Sequence, residues 1–204
     1  QLDLKTMRLS IEGVNQVMLS DSQYVYVAPR DGKVIVTKNR DFSFRGRVHA
    51  GLFDFLANEC TFQYDKFSMS MPKIDSAMMV VPAWEMDANG YRPFVRVKNV
   101  IANMNGDLLI DAPDSKSGRK MLHQYPILMS KDTSYVYFER KDIVNGIYKR
   151  KNFYFQINPF TLDSVNSLPP GDLQFAGKLV SAGIFPDLDE IIRVQRDYSL
   201  GFNS

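Results

Sequence analysis

In 204 residues the chain holds a single cysteine, a single tryptophan and two histidines. Each shortage removes a class of chemistry. A lone Cys60 forms no internal disulfide and excludes a cysteine-rich zinc site. It lies in the strand-like run "NECTFQY", where a buried, inert thiol is the expectation. His49 and His123 stand far apart, without the HExxH spacing of a zinc enzyme, and both read as surface residues. GxSxG, GxxxxGK[ST] and GxGxxG are also missing, which takes away the nucleophile-elbow, P-loop and dinucleotide fingerprints. The chain is therefore expected to be no enzyme, with no catalytic residue, no metal site and no cofactor.

Long apolar runs are absent too. The longest, "AMMVVPAW" from Ala77 to Trp84, is far short of the roughly 20 residues of a membrane helix. Charge of one sign is scarce: the formal net charge is +2, so phosphate neutralisation does not call for a nucleic-acid partner. No secretory leader is visible. The chain opens "QLDLKTMRLS", without Met and already alternating, as a mature or excised piece would.

What is present is alternation. In "DFSFRGRVHAG" (41–51), Phe42, Phe44, Gly46, Val48 and Ala50 share one face and Ser43, Arg45, Arg47 and His49 the other, the pattern of a half-buried strand. "CTFQYDKFSMSM" keeps the period with a slip at Asp65-Lys66, which marks a bulge or a tight turn. "YVYV", "KVIVTK", "FVRVKNVIAN", "DLLIDA", "SYVYFER" and "NFYFQIN" continue the series of β-branched and aromatic residues. Turn signals separate them: "PRDGK", "ANGYRP", "NMNGD", "DSKSG", "IVNG" and "LPPGD". Only "PDLDEIIRVQR" (186–196), with Pro and acids first and arginines last, reads as a helix.

Pieces of the chain also recur. "DSQYVYV" (21–27) is answered by "DTSYVYF" (132–138), "FQYDKFSM" (62–69) by "FQINPFTL" (155–162), and "FRGRVHAGLF" (44–53) by "FAGKLVSAGIF" (175–185). The shared Gly, Asp and Gln are residues that strand propensity does not favour. Recurrence of this kind marks repeated β units, and the changed order of the pieces argues against simple tandem duplication. The expected fold is one all-β domain over residues 1–204. It would be an elongated sandwich or irregular β-solenoid of repeated strand units, with one short helix near the C-terminus. Apolar residues continue to both ends, at Leu2, Leu4, Leu200 and Phe202. One terminus is accordingly expected on an exposed sheet edge or apolar patch, where a second copy could pair.

For ligands the signals are thinner. Asp107, Asp111 and Asp114 lie among asparagines in "NMNGDLLIDAPDSKSG" (103–118). They lack the spacing and closing Glu of an EF-hand, so a hairpin and polar loop are expected rather than calcium. Trp84, Tyr91, Tyr125 and Tyr148, from their loop positions, are the aromatic candidates for stacking on a sugar, set against capping of the core. The Met-rich "FSMSMPKIDSAMMVV" (67–81) hints at an apolar groove, although core filling is the commoner use of Met.

The run "FYFQINPFTLDSV…LQFAGKLVSAGIFPDLDEIIRVQRDYSLGF", with "GDLLIDAPDSKSGRKMLHQYPIL" before it, resembles β-rich segments of very long, largely uncharacterised cell-envelope proteins of the Bacteroidetes type. The resemblance spans about the last half of the chain and carries no catalytic motif. It implies a segment of a larger extracytoplasmic protein, periplasmic or surface-exposed. The partners implied are other segments of that parent or further envelope proteins. The leading expectation is a non-catalytic structural or interaction segment. The alternatives are a carbohydrate-binding or carbohydrate-cleaving β module, with glycan as partner, and a lipid-handling β groove.

Overall fold

The computed structural model describes residues 2–3, 7–116, 118–139, 149–184 and 186–202. Within them lie seventeen strands in one antiparallel sheet. Four long strands form its spine: β6 (Phe42–Ala50), β7 (Phe53–Gln63), β8 (Ser68–Pro82) and β10 (Ile101–Leu109). Each long flank forks. The first half of β6 pairs with β5 (Val34–Val36), which carries β2 (Arg8–Ile11) and β1 (Leu2–Asp3); the second half pairs with β4 (Val25–Pro29), which carries β3 (Val17–Ser20). On the far flank, the end of β10 pairs with β11 (Ile127–Ser130), which carries β14 (Thr161–Leu162). The start of β10 meets β12 (Ser134–Tyr137), and β13 (Tyr154–Ile157), β15 (Gln174–Val180), β16 (Leu188–Val194) and β17 (Leu200–Phe202) follow in turn. The short β9 (Phe94–Arg96) pairs with the end of β8.

The period-two pattern decides which face is buried. In β6 the residues Phe42, Phe44, Val48 and Ala50 are buried, while Arg45 and Arg47 are exposed. The same alternation buries Phe53 and Phe55 of β7 and Met69, Met71 and Met79 of β8. Met69, Met71 and Met79 of the 67–81 stretch therefore fill the core, while Met78 is half-buried on the other face, where Arg96 reaches its sulfur at 3.1 Å. Register shifts on both sides of β7, and between Met104 and Gly106 of β10, bend and twist the spine. The bent sheet wraps around one contiguous core that draws on Val25 and Val27 at one end and Ile192, Val194 and Leu200 at the other. It remains one open sheet rather than the two packed sheets of a sandwich.

Two local expectations give way. Residues 186–196 form no helix: β16 pairs with β15 from Gln174↔Arg193 to Leu179↔Leu188 and with β17 from Ile192↔Phe202 to Val194↔Leu200. The β-branched Ile191, Ile192 and Val194 suit a strand. An acid that suggested a helix start serves across the strands instead, since Asp187 pairs with Lys178 at 2.9 Å. "NMNGD" is not a turn either but the middle of β10. The slip at Asp65-Lys66 is a tight turn, closed by Phe67 N–H donating to the Tyr64 carbonyl at 3.3 Å. At the C-terminal strand, Leu200 is buried and Phe202 packs on Phe138 and Phe155. In β2, by contrast, Leu9 and Ile11 are 39% and 40% exposed.

The recurring sequence pieces behave differently from one another. Both YVY stretches enter strands with the valine buried, at Val25 and Val136, and with the second tyrosine opposite a ring, Tyr26↔His49 and Tyr137↔Tyr154. "FQYDKF" turns a hairpin between β7 and β8, whereas "FQINPF" leads from β13 to β14, which pairs elsewhere with β11. The glycines of "FRGRV" and "FAGKL" do correspond. Gly46 faces Pro29 and Gly177 faces Ile157, and Gly106 faces Ser130 in the same way. In each case the following residue of the short strand, Arg30, Asn158 or Lys131, donates its N–H to the carbonyl just before the glycine, at 2.8, 3.0 and 2.8 Å. In each, a Cβ on the glycine would press into a neighbouring carbonyl oxygen, of Ala28, Gln156 or Met129.

These close approaches make a testable expectation. Gly46→Ala, Gly106→Ala and Gly177→Ala should each lower stability by about 1–3 kcal/mol or more, the usual cost of forcing extra volume into a packed site. Gly171→Ala, with nothing within 4 Å of its Cβ position, should stay within about 0.5 kcal/mol of the parent. Urea denaturation of the four variants decides it.

Candidate functional site

Two features gather polar and aromatic side chains: ring clusters on the outer face of the sheet and a cleft where its two flanks meet. Tyr26 of β4 and Tyr24, in the turn just before that strand, both lie beside His49 of β6. Tyr26 stacks on the imidazole at 4.6 Å and 20°, and Tyr24 meets it edge-on at 5.2 Å. His49 is thus not a surface residue, for its side chain is only 13% exposed. Its Nδ1–H donates to Asp54 Oδ1 at 3.2 Å, and Arg47 approaches the same oxygen at 3.9 Å. Nε2 is buried and unpartnered among the described residues. Burial, with Asp54 nearby, raises the Tyr26 hydroxyl above its ordinary pKa.

The second YVY stretch builds a parallel arrangement. Tyr135 and Tyr137 lie 6.1 Å apart with nearly parallel rings, and Tyr154 of β13 stands 5.8 Å from Tyr135 and 6.3 Å from Tyr137. The Arg150 guanidinium lies over Tyr137 at 4.3 Å and holds Glu139 at 2.6 Å. One face of that ring is therefore already covered by a cation.

The cleft has a volume of about 380 Å³ and forms where residues 22–23, 118–125 and 164–167 converge. Main-chain bonds bring them together: Leu52 N–H to the Val165 carbonyl at 2.9 Å, Val165 N–H to Pro126 at 3.1 Å, and Ser164 N–H to Gln124 at 2.8 Å. Gly51 leaves no room for a Cβ beside Asn166. The Asn166 amide donates to Gln23 Oε1 at 3.1 Å across the seam. One wall hangs on Asp111. This buried carboxylate accepts from Ala112 N–H at 2.7 Å, Ser115 Oγ at 2.8 Å and Gly118 N–H at 3.0 Å. Asp114 is paired with Lys120, and Asp107 with Lys131 at 2.7 Å. The three acids that suggested an oxygen cage thus face three different partners, and no group of three or more potential ligands occurs among the described residues.

The aromatic candidates scatter. Trp84 is a clamp: its backbone N–H reaches the Tyr198 hydroxyl and its indole N–H the Gln195 carbonyl, both at 3.2 Å. It joins the end of β8 to the β16–β17 hairpin. Tyr91 is 72% exposed near the tip of the β8–β9 hairpin, where Asp87 accepts its N–H at 2.9 Å. Tyr125 lines the cleft together with His123. Tyr148 lies outside the described residues. The cluster of Tyr135, Tyr137 and Tyr154 did have a signal in the sequence. Tyrosines two apart in a strand must share a face. Cys60 is buried, and its thiol is pushed up to about 12 by burial alone, which leaves it unreactive.

Comparison with protein-family models, curated proteins and solved structures found no match.

The hairpin that Trp84 clamps carries a paired carboxylate in its turn. Beside Tyr198, Asp197 accepts from Ser199 N–H and Oγ at 3.0 and 2.6 Å and from Lys98 Nζ at 2.9 Å. The Ser199 and Lys98 bonds hold its carboxyl down to about 2, against about 3.9 in an unfolded chain. A lowered folded-state value contributes stability above about pH 4 and loses it progressively as pH falls through about 2. Asp197→Asn should therefore melt below the parent at pH 7, with the gap closing at about pH 2. A gap that stays constant across this window would show that Asp197 contributes no proton-linked stability.

Proposed function

We propose that the chain is a non-catalytic structural and interaction segment of a larger extracytoplasmic, cell-envelope protein, built from repeated strand units. The observation that carries this reading is the shared crossing at Gly46, Gly106 and Gly177, with the same register and the same returning N–H bond. A backbone device used three times in one sheet fits an array of similar units, each covering its neighbour's apolar face. The resemblance of the second half to long envelope proteins supports the location. The fate of the reactive side chains supports the rest. Asp54, Asp107, Asp111, Asp114 and Asp197 bond to neighbours within the chain, and Cys60 is buried.

The experiment is an immunoblot of fractionated source cells with an antibody raised against these 204 residues. The expected outcome is a polypeptide several times longer than this chain, in the envelope fraction and open to protease once the outer layer is breached. A species of about this length in the cytosol would overturn the reading.

A further inference from the structure

We infer that the cleft between the two flanks of the sheet is a binding site for a neutral saccharide, a monosaccharide or the end of a short glycan. The inference rests on the interaction reading above and adds the chemical class of what is bound. At about 380 Å³ the cleft lies at the small end of the range for small-molecule sites. Its lining is rich in groups that both donate and accept. The carboxamides of Gln23 and Asn166 meet through Oε1 of the first and Nδ2 of the second, which leaves the Gln23 amide donors and the Asn166 carbonyl oxygen for a ligand. Ser22 and Ser167 add hydroxyls at the exposed rim, and the half-buried Tyr125 adds an aromatic ring.

A pyranose needs this combination. Its hydroxyls each donate and accept, so paired amides serve them better than a single-purpose charge. Its C–H face packs against an aromatic ring, as apolar surface does. Charge argues for a neutral ligand, because the one cation of the lining, Lys120, is already paired with Asp114. The site is also preorganised. Main-chain bonds from Leu52, Ser164 and Val165 fix one side, and the Asp111–Ser115 network fixes the other. Little ordering is then left to oppose binding.

The test is titration of the isotopically labelled chain with glucose, mannose, N-acetylglucosamine, maltose and cellobiose, followed by amide NMR shifts. Glucuronate and inorganic phosphate serve as charged comparators. The expected result is saturable binding of at least one neutral sugar, with shifts confined to residues 22–23, 118–125 and 164–167. Tyr125→Ala and Asn166→Ala should each weaken it about tenfold, the equivalent of about 1.4 kcal/mol. Ser167→Trp, which fills the cleft from an exposed position and leaves the core untouched, should abolish it even if the other variants fold poorly. The inference fails if no neutral sugar binds up to tens of millimolar, if the shifts map elsewhere, if Ser167→Trp binds like the parent, or if glucuronate or phosphate binds in preference. Failure here would leave the envelope assignment standing, and a cytosolic, free-standing chain would leave sugar binding in this cleft standing.

Discussion

A sheet with one apolar face can hide that face only against something else, and among the described residues most of that cover comes from the rest of the same sheet. Period-two alternation puts Phe42, Phe44, Phe53, Phe55, Met69 and Met71 on one side. Each large side chain taken out of water is worth about 1.5–3 kcal/mol. That gain is realised because bulges along β6, β7, β8 and β10 coil the spine until Phe155, Phe175 and Leu200 from the far flank close over it. The seams follow from this requirement. Leu52 meets Val165, Trp84 meets Gln195, and the buried Asn99 bridges Tyr137 and Leu200 through its amide at 3.4 and 2.9 Å.

The outer face is organised by pairing across strands rather than by burial. Arg47, His49 and Asp54 share one site, as do Tyr137, Arg150 and Glu139. Exposed ion pairs of this kind add little stability individually. In the junction cleft polar groups converge with room between them, because there the two flanks meet through loops instead of through interdigitated core residues.

How far the sequence was legible depends on whether a signal has one physical cause or two. Alternation in "DFSFRGRVHAG" has one, and β6 follows it residue by residue. Glycine has several: Gly106 suggested a turn but serves a close strand approach inside β10, where a Cβ would meet a carbonyl at 2.7 Å. Acids before an apolar run have two as well, and Asp187 meets a lysine across the sheet rather than a helix dipole. The cleft was hidden for a different reason. Gln23, Tyr125 and Asn166 are brought together by the coiling of the sheet, which no local period encodes. Of the aromatic candidates among the described residues only Tyr125 lines it, because loop position says that a ring is near the surface and not what stands opposite.

Trp84 gives the molecule an intrinsic optical gauge. It is the only indole in the chain, and it sits on the seam between the end of β8 and the β16–β17 hairpin, its N–H held by the Gln195 carbonyl. Fluorescence excited at the red edge of aromatic absorption would come from this one position. Its wavelength and quenching would report whether the two ends of the sheet are docked, separately from the tyrosine signals spread along the strands. Opening of the seam and melting of the spine could thus be told apart in the unmodified protein, without an introduced label.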